Sequence, residues 1–483
     1  MNPKYEAVIG LEVHSQLSTN TKIFCSCSTK FGAAPNSQVC PICLGMPGVL
    51  PVLNKKVIEY VIRMGLAHNC KIAPVSVFAR KNYFYPDLPK GYQISQYDKP
   101  ICEDGTISFQ LDSGETKTVR LMRIHMEEDA GKSLHDQHAD TFVDLNRACT
   151  PLIEIVSMPD MRTPEEAGKY LTKLRQAVRY LEICDGNMEE GSLRCDANVS
   201  VRLKGAEKFG TRTELKNLNS IKFVEKAIEY EINRQIDVLE DGGEVKQVTL
   251  LWDSAKNETK VLRTKENAHD YRYFPEPDLV PVIVTDEMIA ATKASMPELP
   301  DEKIARFVKQ YSIPEYDARV LSVDKDVADY FEKVCKNVTD FKAASNWVMG
   351  EVMRILKEKL ISISEFSLTP EQIAGIIALI KDGKISSTIA KELFEELLTN
   401  GGDPLKVVEA KGWIQVSDTG LIISIVDRII ADNPGQVAEL LSGKDKLFGF
   451  FVGQTMKEMK GKGNPKVIND ILVKKFEEMK AKV

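Results

Sequence analysis

Two stretches of the chain alternate between apolar and polar residues, which is the period of a β-strand with one buried face. The first is Glu6–His14 and the second is Ser192–Leu203. Their polar positions carry Glu12, His14, Arg194, Asp196 and Asn198. Carboxylate, imidazole, guanidinium and amide groups in such rows can bind phosphate and its Mg²⁺. The solvent-facing side of an ordinary strand would show the same pattern, so both interpretations stay open.

The periodicity becomes helical from about Thr285 onwards. One helix is predicted to begin at Thr369, with Pro370 in its first turn and Gln372 completing a capping box. A stripe of isoleucines follows, and Gly383 ends the helix. The second half of the chain is therefore expected to be α-helical.

These patterns predict an α+β protein in three parts. Residues 1–292 form a strand-rich mixed domain, residues 293–402 an all-α helical domain, and residues 403–483 a helical tail domain. The second boundary lies at Gly401-Gly402-Asp403-Pro404, a run of residues that interrupts helices. A chain of 483 residues is long enough to bury several hydrophobic cores.

The composition excludes several classes of protein. Hydrophobic residues make up 43% of the chain and charged residues 28%, as in a folded globular protein and unlike a disordered one. The net charge of −6 means that a nucleic acid would have to meet a local basic patch. The sequence shows neither a signal peptide nor an apolar run of about 18 residues. We therefore expect a cytoplasmic protein with no membrane partner and with reduced cysteines.

Four of the ten cysteines form a C-x-C…C-x₂-C pattern, namely Cys25, Cys27, Cys40 and Cys43. Two close pairs on two turns can converge on a tetrahedral metal ion, and four thiolates favour zinc. Because four protein ligands leave no open position, such a site would be structural and not catalytic. Four clustered thiols without a metal are the alternative. The other six cysteines are interpreted as small core residues.

Three consecutive acids, Glu127, Glu128 and Asp129, are predicted to leave the end of a strand. Their mutual repulsion requires a cation or water, and hard oxygen ligands favour Mg²⁺. The run Gly131-Lys132-Ser133 is not a phosphate-binding loop, because that motif needs a glycine where Met126 stands. No G-x-G-x-x-G precedes a helix, so a dinucleotide-binding fold is not supported either.

Two polar segments are rich in aromatic residues, Arg80–Gln96 and Asp270–Pro277. Aromatic rings beside basic groups can stack on nucleic-acid bases or on an adenine ring. The same rings can equally anchor a loop on the hydrophobic core, and the sequence does not decide between these roles.

Nine strings of residues follow one another in the order of one known family. They are Ile9–His14, Arg80–Asp87, Gln93–Gln96, His125–Lys132, Val143–Arg147, Pro151–Val156, Met188–Asn198, Glu214–Asn219 and Asp270–Pro277. Through them the chain resembles the B subunits of the aspartyl/glutamyl-tRNA amidotransferase family over essentially its whole length.

The resemblance implies a two-step reaction on a misacylated tRNA. ATP, with Mg²⁺, phosphorylates the side-chain carboxylate of Glu-tRNA(Gln) or Asp-tRNA(Asn). Ammonia then displaces the phosphate to give Gln-tRNA(Gln) or Asn-tRNA(Asn). The implied partners are an amidase, the A subunit, which supplies ammonia from glutamine through a channel, and a small C subunit. The implied fold is a cradle-like catalytic domain, a helical domain and a mobile helical tail that helps to recognise the tRNA.

The resemblance also implies roles for individual residues. The implied Mg²⁺ ligands are Glu12, His14, Glu127, Glu128 and Asp196. The implied reaction-centre and channel residues are Lys81, Tyr83, Glu128 and Arg194, and the expected ATP contacts are Asn82, Lys132 and Asn198. Glu128 is thus either a metal ligand or a channel residue that relays ammonia or its proton.

Two features refine the comparison with the family. Cys149 stands where the family usually has glycine, which affects the loop after Arg147. Between Lys444 and Lys482 there are ten lysines and five acids, a local charge of +5 that can contact tRNA phosphates. A solvated helical surface would explain the same charges.

Two other functional classes fit parts of the sequence. A zinc-containing RNA-binding protein without catalysis has no need of acids that repel its ligand. A metal-dependent hydrolase would require an arrangement such as H-E-x-x-H, which the sequence lacks. The amidotransferase family is therefore the leading interpretation.

Overall fold

The computed structural model describes residues 3–134, 140–264, 271–415, 419–459 and 463–480. Asp270 of the second aromatic segment and Lys460, Lys462 and Lys482 of the basic tail lie outside these ranges. The chain forms two compact units, Met1–Pro300 and Asp301–Val483. No helix among the described residues is long and apolar enough to cross a bilayer.

The first unit is built on a sheet of ten strands. Its strands and those of three smaller sheets are β1 Tyr5–Gln16, β2 Lys71–Ile72, β3 Val75–Ser76, β4 Ala79–Asn82, β5 Tyr92–Ser95, β6 Cys102–Glu103, β7 Thr106–Gln110, β8 Thr116–Glu128, β9 Lys132–Leu134, β10 Phe142–Asp144, β11 Pro151–Ser157, β12 Leu193–Leu203, β13 Thr213–Lys216, β14 Val248–Asp253, β15 Glu258–Thr264, β16 Phe274–Pro275 and β17 Val282–Ile283.

The strand order of the large sheet is β15-β14-β13-β12-β1-β11-β8-β6-β2, with β7 also paired to β8. The central strand β1 is antiparallel to both of its neighbours, β12 and β11. The smaller sheets are β16-β4-β5, β9-β10 and β3-β17. Both stretches that alternate in sequence are strands of the large sheet, which confirms that prediction.

Helices cover the apolar face of this sheet. The helices of the first unit are α1 Lys55–Ala67, α2 Pro164–Tyr180, α3 Ile221–Glu240 and α4 Asp286–Ala294. Apolar residues of α1, α2 and α3 share one hydrophobic cluster with Ile9 and Val13 of β1 and with Val199 of β12. The polar positions of β1 and β12 therefore project to the other side of the sheet.

The second unit is entirely helical within its described residues. Its helices are α5 Pro300–Tyr311, α6 Glu315–Leu321, α7 Lys325–Cys335, α8 Phe341–Trp347, α9 Met353–Lys359, α10 Pro370–Lys381, α11 Ser387–Asn400, α12 Pro404–Ala410, α13 Thr419–Asp432, α14 Pro434–Leu441, α15 Phe448–Glu458 and α16 Pro465–Lys480. A π-helical turn, Val348–Val352, joins α8 to α9. Short 3₁₀ segments occupy Ile363–Glu365 and Asp445–Leu447.

The helix signals in the sequence are confirmed. The Thr285 hydroxyl accepts a hydrogen bond from the Met288 backbone N–H and caps α4. Thr369 and Gln372 form the expected capping box of α10. The α+β fold class is confirmed as well, because a strand-rich unit precedes the helices.

Two hydrophobic clusters fill the helical unit. The first runs from Phe307 to Val408 and is joined by Trp413, so it extends beyond the break at Gly401-Gly402. The second begins at Ile422 and reaches Phe476. The division into domains at residues 292 and 402 stays a prediction.

Candidate functional site

A row of charged side chains crosses the polar face of the large sheet. Backbone pairing sets Arg194 of β12 opposite His14 of β1, and His14 opposite Glu154 of β11. Glu154 in turn lies opposite His125 of β8. Because directly opposite residues point to the same side of a sheet, the pairing of four strands brings these side chains together.

Three members of this region could hold a metal ion. The ligand atoms of His14, Glu127 and Glu154 all lie within 4.8 Å of one another. His14 Nε2 is 3.6 Å from Glu127 Oε1 and 3.7 Å from Glu154 Oε2. His125 lies next to this group, with its Nε2 3.2 Å from Glu154 Oε2. Two carboxylates and one imidazole suit a divalent cation, and the oxygens suit Mg²⁺ if substrate or water supplies the remaining ligands.

Burial and opposite charge compete in this cluster. Burial alone would lower the pKa of His125, but the carboxylates of Glu154 and Glu127 raise it to about 9. Burial alone would raise the pKa of Glu154, yet His125 and His14 hold it well below its usual range. Burial and the charge of Glu154 would raise the pKa of Glu127, but the hydrogen bond with His125 and the charges of His125 and His14 together lower it. Both carboxylates are therefore held ionised, the form that binds a cation.

Glu12 and Asp196 lie opposite each other in the next row of the same face. Asn198 Nδ2 donates a hydrogen bond to Glu12 Oε1 at 2.8 Å, and the Lys216 ammonium contacts Asp196. Apart from Arg194, the charged residues of both rows line one cavity of about 350 Å³. Its charged lining consists of the acids Glu12, Glu127, Glu154, Asp196 and Glu214 and the bases His14, His125, Lys81, Arg123, Arg212 and Lys216.

Aromatic residues form a second wall of this cavity around Lys81. The Lys81 Nζ lies 4.9 Å from the centre of the Tyr271 ring and 5.7 Å from that of Tyr83. Burial alone would lower the pKa of Lys81, but the neighbouring Tyr273 and the carboxylates of Glu127 and Glu154 raise it above its usual value. Lys81 is thus held in its charged form by the nearby carboxylates of Glu127 and Glu154.

The Tyr83 and Asn82 side chains occupy different positions on the same hairpin. Tyr83 lines the cavity, and its hydroxyl donates to Gln93 Oε1 at 3.4 Å. The Asn82 amide donates to the Arg272 carbonyl at 2.8 Å and to the Tyr271 carbonyl at 3.2 Å. Asn82 therefore fixes the segment before β16 that carries Tyr271 and Tyr273.

Glu128 points away from Glu127, as successive residues of a strand must. Its Oε1 accepts a hydrogen bond from the Ile94 backbone N–H at 2.8 Å and contacts the Lys90 ammonium. Lys90 also lines a smaller cavity of about 180 Å³ that does not include Glu127. The structure therefore does not bring Glu128 together with His14 and Glu127.

Arg194 forms a bidentate pair with Asp129, with its two terminal nitrogens 3.0 and 2.9 Å from the carboxylate oxygens. Burial would raise the pKa of Asp129, but Arg194 and Arg147 lower it. Lys132 lies on the short strand β9, exposed and paired with β10, and does not line the cavity. Arg194 therefore lies at one end of the charged row, whereas Lys132 does not line the cavity.

A second cavity of about 310 Å³ adjoins the first. Glu12, Val156 and Arg212 line both cavities. The remaining wall includes Gly10 and Phe209, together with Met122, Pro159 and Asn198. An apolar slot of this kind next to a charged cavity suits a planar heterocycle whose anionic part faces the charges.

Glu154 and His125 belong to the charged row, and the sequence predicted no role for either of them. His125 lies in a quoted string but was given no role, and Glu154 is a single acid in the apolar strand Pro151–Ser157. A lone carboxylate at the centre of a buried apolar strand is a usable signal, because it is costly unless paired. Tyr271 and Tyr273 lie in a segment whose role the sequence left open.

The four cysteines of the C-x-C…C-x₂-C pattern converge. Their sulfur atoms all lie within 4.8 Å of one another, as tetrahedral coordination requires. Hydrogen bonding with Cys25 and burial raise the pKa of Cys43 to about 12, and burial with a hydrogen bond to Cys40 raises the pKa of Cys27 to about 11. Cys149 has a φ of 67°, in the left-handed region that favours glycine.

The sequence matches two protein families. The family described as GatB/GatE catalytic domain matches residues 7–290, and the one described as GatB domain matches residues 329–476. The B subunit of the aspartyl/glutamyl-tRNA(Asn/Gln) amidotransferase from Chlorobium limicola is 59% identical over 97% of this chain and 98% of its own. Its counterpart from Geotalea daltonii is 59% identical over 98% of this chain and all of its own length. The chain therefore belongs to the family of aspartyl/glutamyl-tRNA(Asn/Gln) amidotransferase B subunits.

Proposed function

We propose that this chain carries the ATP-dependent step of a glutamine-hydrolysing tRNA amidotransferase. The side-chain carboxylate of Glu-tRNA(Gln) or Asp-tRNA(Asn) attacks the γ-phosphorus of ATP, and ADP leaves. Ammonia then attacks the acyl phosphate, loses a proton and displaces inorganic phosphate, which yields the amide. The observation that carries this proposal is the acid-rich cavity on the polar face of the large sheet, which Lys81, Arg123, Arg212 and Lys216 also line.

His14, Glu127 and Glu154 would hold Mg²⁺, and Glu12 and Asp196 line the same cavity. When bound, Mg²⁺ offsets the negative charge of the phosphates during transfer. His125 pairs with Glu154 and Glu127 and so keeps the two carboxylates apart and in place. The chain's own cations, among them His125, Lys81 and Lys216, offset part of the repulsion among the five acids of the cavity, and a bound cation would offset more of it.

The cations of the cavity would bind the substrate carboxylate and the transferred phosphate. Lys81 is held protonated above Glu127 and Glu154, and Arg123 and Arg212 line the same space. Arg194 is fixed by Asp129 at the edge of the row. Fixed positive groups that need no rearrangement stabilise charge that develops in a transition state.

ATP would span the two adjoining cavities. The adenine ring fits the apolar slot beside Gly10 and Phe209, while the phosphates lie at Glu12 and Arg212, which both cavities share. Asn198 lines the slot and is well placed to contact the nucleotide. The positions of Asn82 and Lys132 lend less support to the ATP contacts expected for them.

Glu128 and Lys90 would take part in the delivery of ammonia and not in binding the metal. Glu128 is buried and Lys90 largely so, and they pair beside Gln93, whose amide donates to the Glu128 carbonyl at 2.7 Å. Tyr83 connects Gln93 to the acid-rich cavity. A line of paired polar groups leading to the reaction centre can pass a proton to or from incoming ammonia.

The remaining assignments concern partners and the tail. We propose an amidase, the A subunit, and a small C subunit as partners, and the cytoplasm as the location. The exposed lysines of the tail, among them Lys457, Lys466 and Lys474, would contact tRNA phosphates. Such contacts predict tRNA binding that weakens steeply with added salt. The four clustered cysteines would bind a structural zinc ion.

The test uses the complex purified with its partner proteins. It is mixed separately with Glu-tRNA(Gln) and Asp-tRNA(Asn), with ATP and glutamine, and the product amino acid and the released phosphate are measured. We expect phosphate release that requires a misacylated tRNA and is lost in Asp196→Asn. Glu258→Gln, which changes an exposed acid on β15, is the matched control. Phosphate release without tRNA, or normal turnover in Asp196→Asn, would contradict the proposal.

A further inference from the structure

Lys22 is a lysine with none of its surface exposed. Its Nζ donates to Cys43 Sγ at 3.6 Å and to the Leu145 carbonyl at 3.4 Å. No carboxylate of the described part of the chain lies within ion-pair distance of this ammonium. A fully buried charge that lacks a counter-ion is strongly destabilising. A charged Lys22 therefore requires a nearby anion, and no carboxylate of the described residues supplies it.

The cysteine cluster can supply that anion in only one chemical state. A cysteine thiol is largely uncharged at neutral pH, whereas a metal-bound cysteine is a thiolate. Four thiolates around a divalent ion carry a net charge of −2. Cys43 Sγ already accepts a hydrogen bond from the Cys40 backbone N–H at 3.1 Å, so Lys22 adds a second, charged donor to the same sulfur.

We propose that Lys22 is the built-in counter-ion of a metal–tetrathiolate centre formed by Cys25, Cys27, Cys40 and Cys43. Its ammonium reduces the negative charge of the centre from −2 to −1 and donates an N–H···S hydrogen bond to Cys43. Groups that contact a metal ligand from outside the ligand set fix its orientation and raise metal affinity. The inference rests on the metal centre proposed above and not on the amidation chemistry.

The same side chain links the cysteine cluster to the catalytic face. Leu145 precedes Arg147, whose guanidinium donates to the Ala130 and Gly131 carbonyls at 2.9 and 2.6 Å. Next to Lys22, the Ile23 backbone N–H donates to the Cys149 carbonyl at 3.0 Å. The segment that follows Asp129 is therefore anchored to the residues beside the cluster, and a bound metal would hold Lys22 in its bonding position.

The test measures zinc binding by the full-length chain. Lys22→Met removes the charge and keeps the length of the side chain, and Lys22→Gln keeps a neutral donor. Lys30→Met removes a lysine from an exposed position beside the same cluster and is the matched control. Zinc affinity is measured by competition with a chromogenic chelator, and Co²⁺ substitution reports sulfur ligation through its thiolate charge-transfer band.

We expect both Lys22 variants to bind zinc about 10–100-fold more weakly, while Lys30→Met binds like the wild type. When chelator has removed the zinc, we expect Lys22→Met to resist denaturant better than the wild type, because the variant no longer buries an unpaired charge. Unchanged zinc affinity in both Lys22 variants would overturn the proposal. Equal destabilisation with and without zinc would also overturn it, since Lys22 would then serve packing alone. A wild-type chain that binds no zinc would refute the metal centre and this inference but leave the amidation proposal standing.

Discussion

The first unit contains two clusters of potential metal ligands, and they differ in how the chain builds them. His14, Glu127 and Glu154 come from three strands and meet through the pairing register of a sheet. The four cysteines come from two turns of one segment, Cys25–Cys43, and meet through local folding. The first cluster opens into a cavity of about 350 Å³, whereas the second is packed against the hydrophobic core.

This difference in construction indicates which role suits each cluster. Strand register holds ligands rigidly but from one side, so substrate oxygens can complete the set. Four thiolates satisfy a tetrahedral ion completely and leave no room for a reaction. The oxygen and imidazole cluster therefore suits a reaction centre, and the thiolate cluster suits a structural role.

The largest expected effect follows from removing one carboxylate of the open cluster. Glu154→Gln keeps the size of the side chain and removes its charge. We expect tRNA-dependent phosphate release to fall by about 10²–10³-fold, the weight of one preorganised electrostatic group. Steady-state turnover of the assembled complex checks this expectation.

Glu258→Gln on the exposed edge strand β15 is the control for Glu154→Gln. Circular dichroism of both variants establishes that the fold is retained. A fold that persists together with normal phosphate release in Glu154→Gln would remove Glu154 from the site.

Only part of this cluster could be predicted from the sequence, because some of its positions follow from alternation within one strand and others only from pairing between strands. Alternation within one strand is a local property, so Glu12, His14 and Asp196 were predicted on polar faces, and β1 and β12 confirm this. Glu154 could not be found in that way, because its strand is buried on both faces and only pairing with β1 and β8 reveals its neighbours.

The acid run Glu127–Asp129 shows the opposite case, in which a local rule was available. The sequence suggested both Glu127 and Glu128 as ligands, yet successive side chains of a strand face opposite ways. In the structure Glu127 faces His14 and Glu128 faces Lys90. The pairing of Glu128 with a lysine from a separate hairpin is a long-range contact that no local pattern encodes.

The thiolate cluster should respond to mutation through stability and not through chemistry. In Cys40→Ser we expect the chain to lose its bound zinc and to unfold at a lower temperature, because metal binding contributes directly to folding. Elemental analysis and thermal denaturation measure the two effects. Turnover per folded molecule should fall far less than in Glu154→Gln.

Cys70→Ala provides the comparison for Cys40→Ser, since Cys70 is a buried cysteine outside the cluster. It should keep its zinc and lose only packing. If Cys40→Ser lost turnover but kept its zinc, the structural role expected for the cysteine cluster would be contradicted.

Glu128 offers a smaller effect that separates ammonia delivery from metal binding. Glu128→Gln leaves Lys90 without its charged partner, and we expect glutamine-dependent synthesis to fall by about 10-fold, the weight of one charge-assisted hydrogen bond. Synthesis from added ammonium salt should fall less, because free ammonia can bypass the delivery route. Equal loss with both nitrogen sources would place Glu128 in the phosphoryl-transfer step.

The smallest effect is expected at a buried acid that lies outside the proposed metal-binding site. Asp317 is 5% exposed and accepts hydrogen bonds from Lys342 Nζ at 2.5 Å and Ser345 Oγ at 2.7 Å. Burial would raise its pKa, but these two donors lower it. Its contribution to stability is therefore fully present above the unfolded pKa of about 3.9 and is lost as pH falls through the folded value.

Asp317→Asn should lower the free energy of unfolding by about 1 kcal/mol at neutral pH and leave amidation unchanged. As the pH falls below the unfolded pKa of about 3.9, the difference from the wild type should shrink, because the wild-type carboxyl becomes protonated as well. Urea denaturation across this pH range measures both quantities. If Asp317→Asn impaired turnover as strongly as Glu154→Gln, burial of an acid alone would explain both results, and the cation-binding role of the open cluster would lose its support.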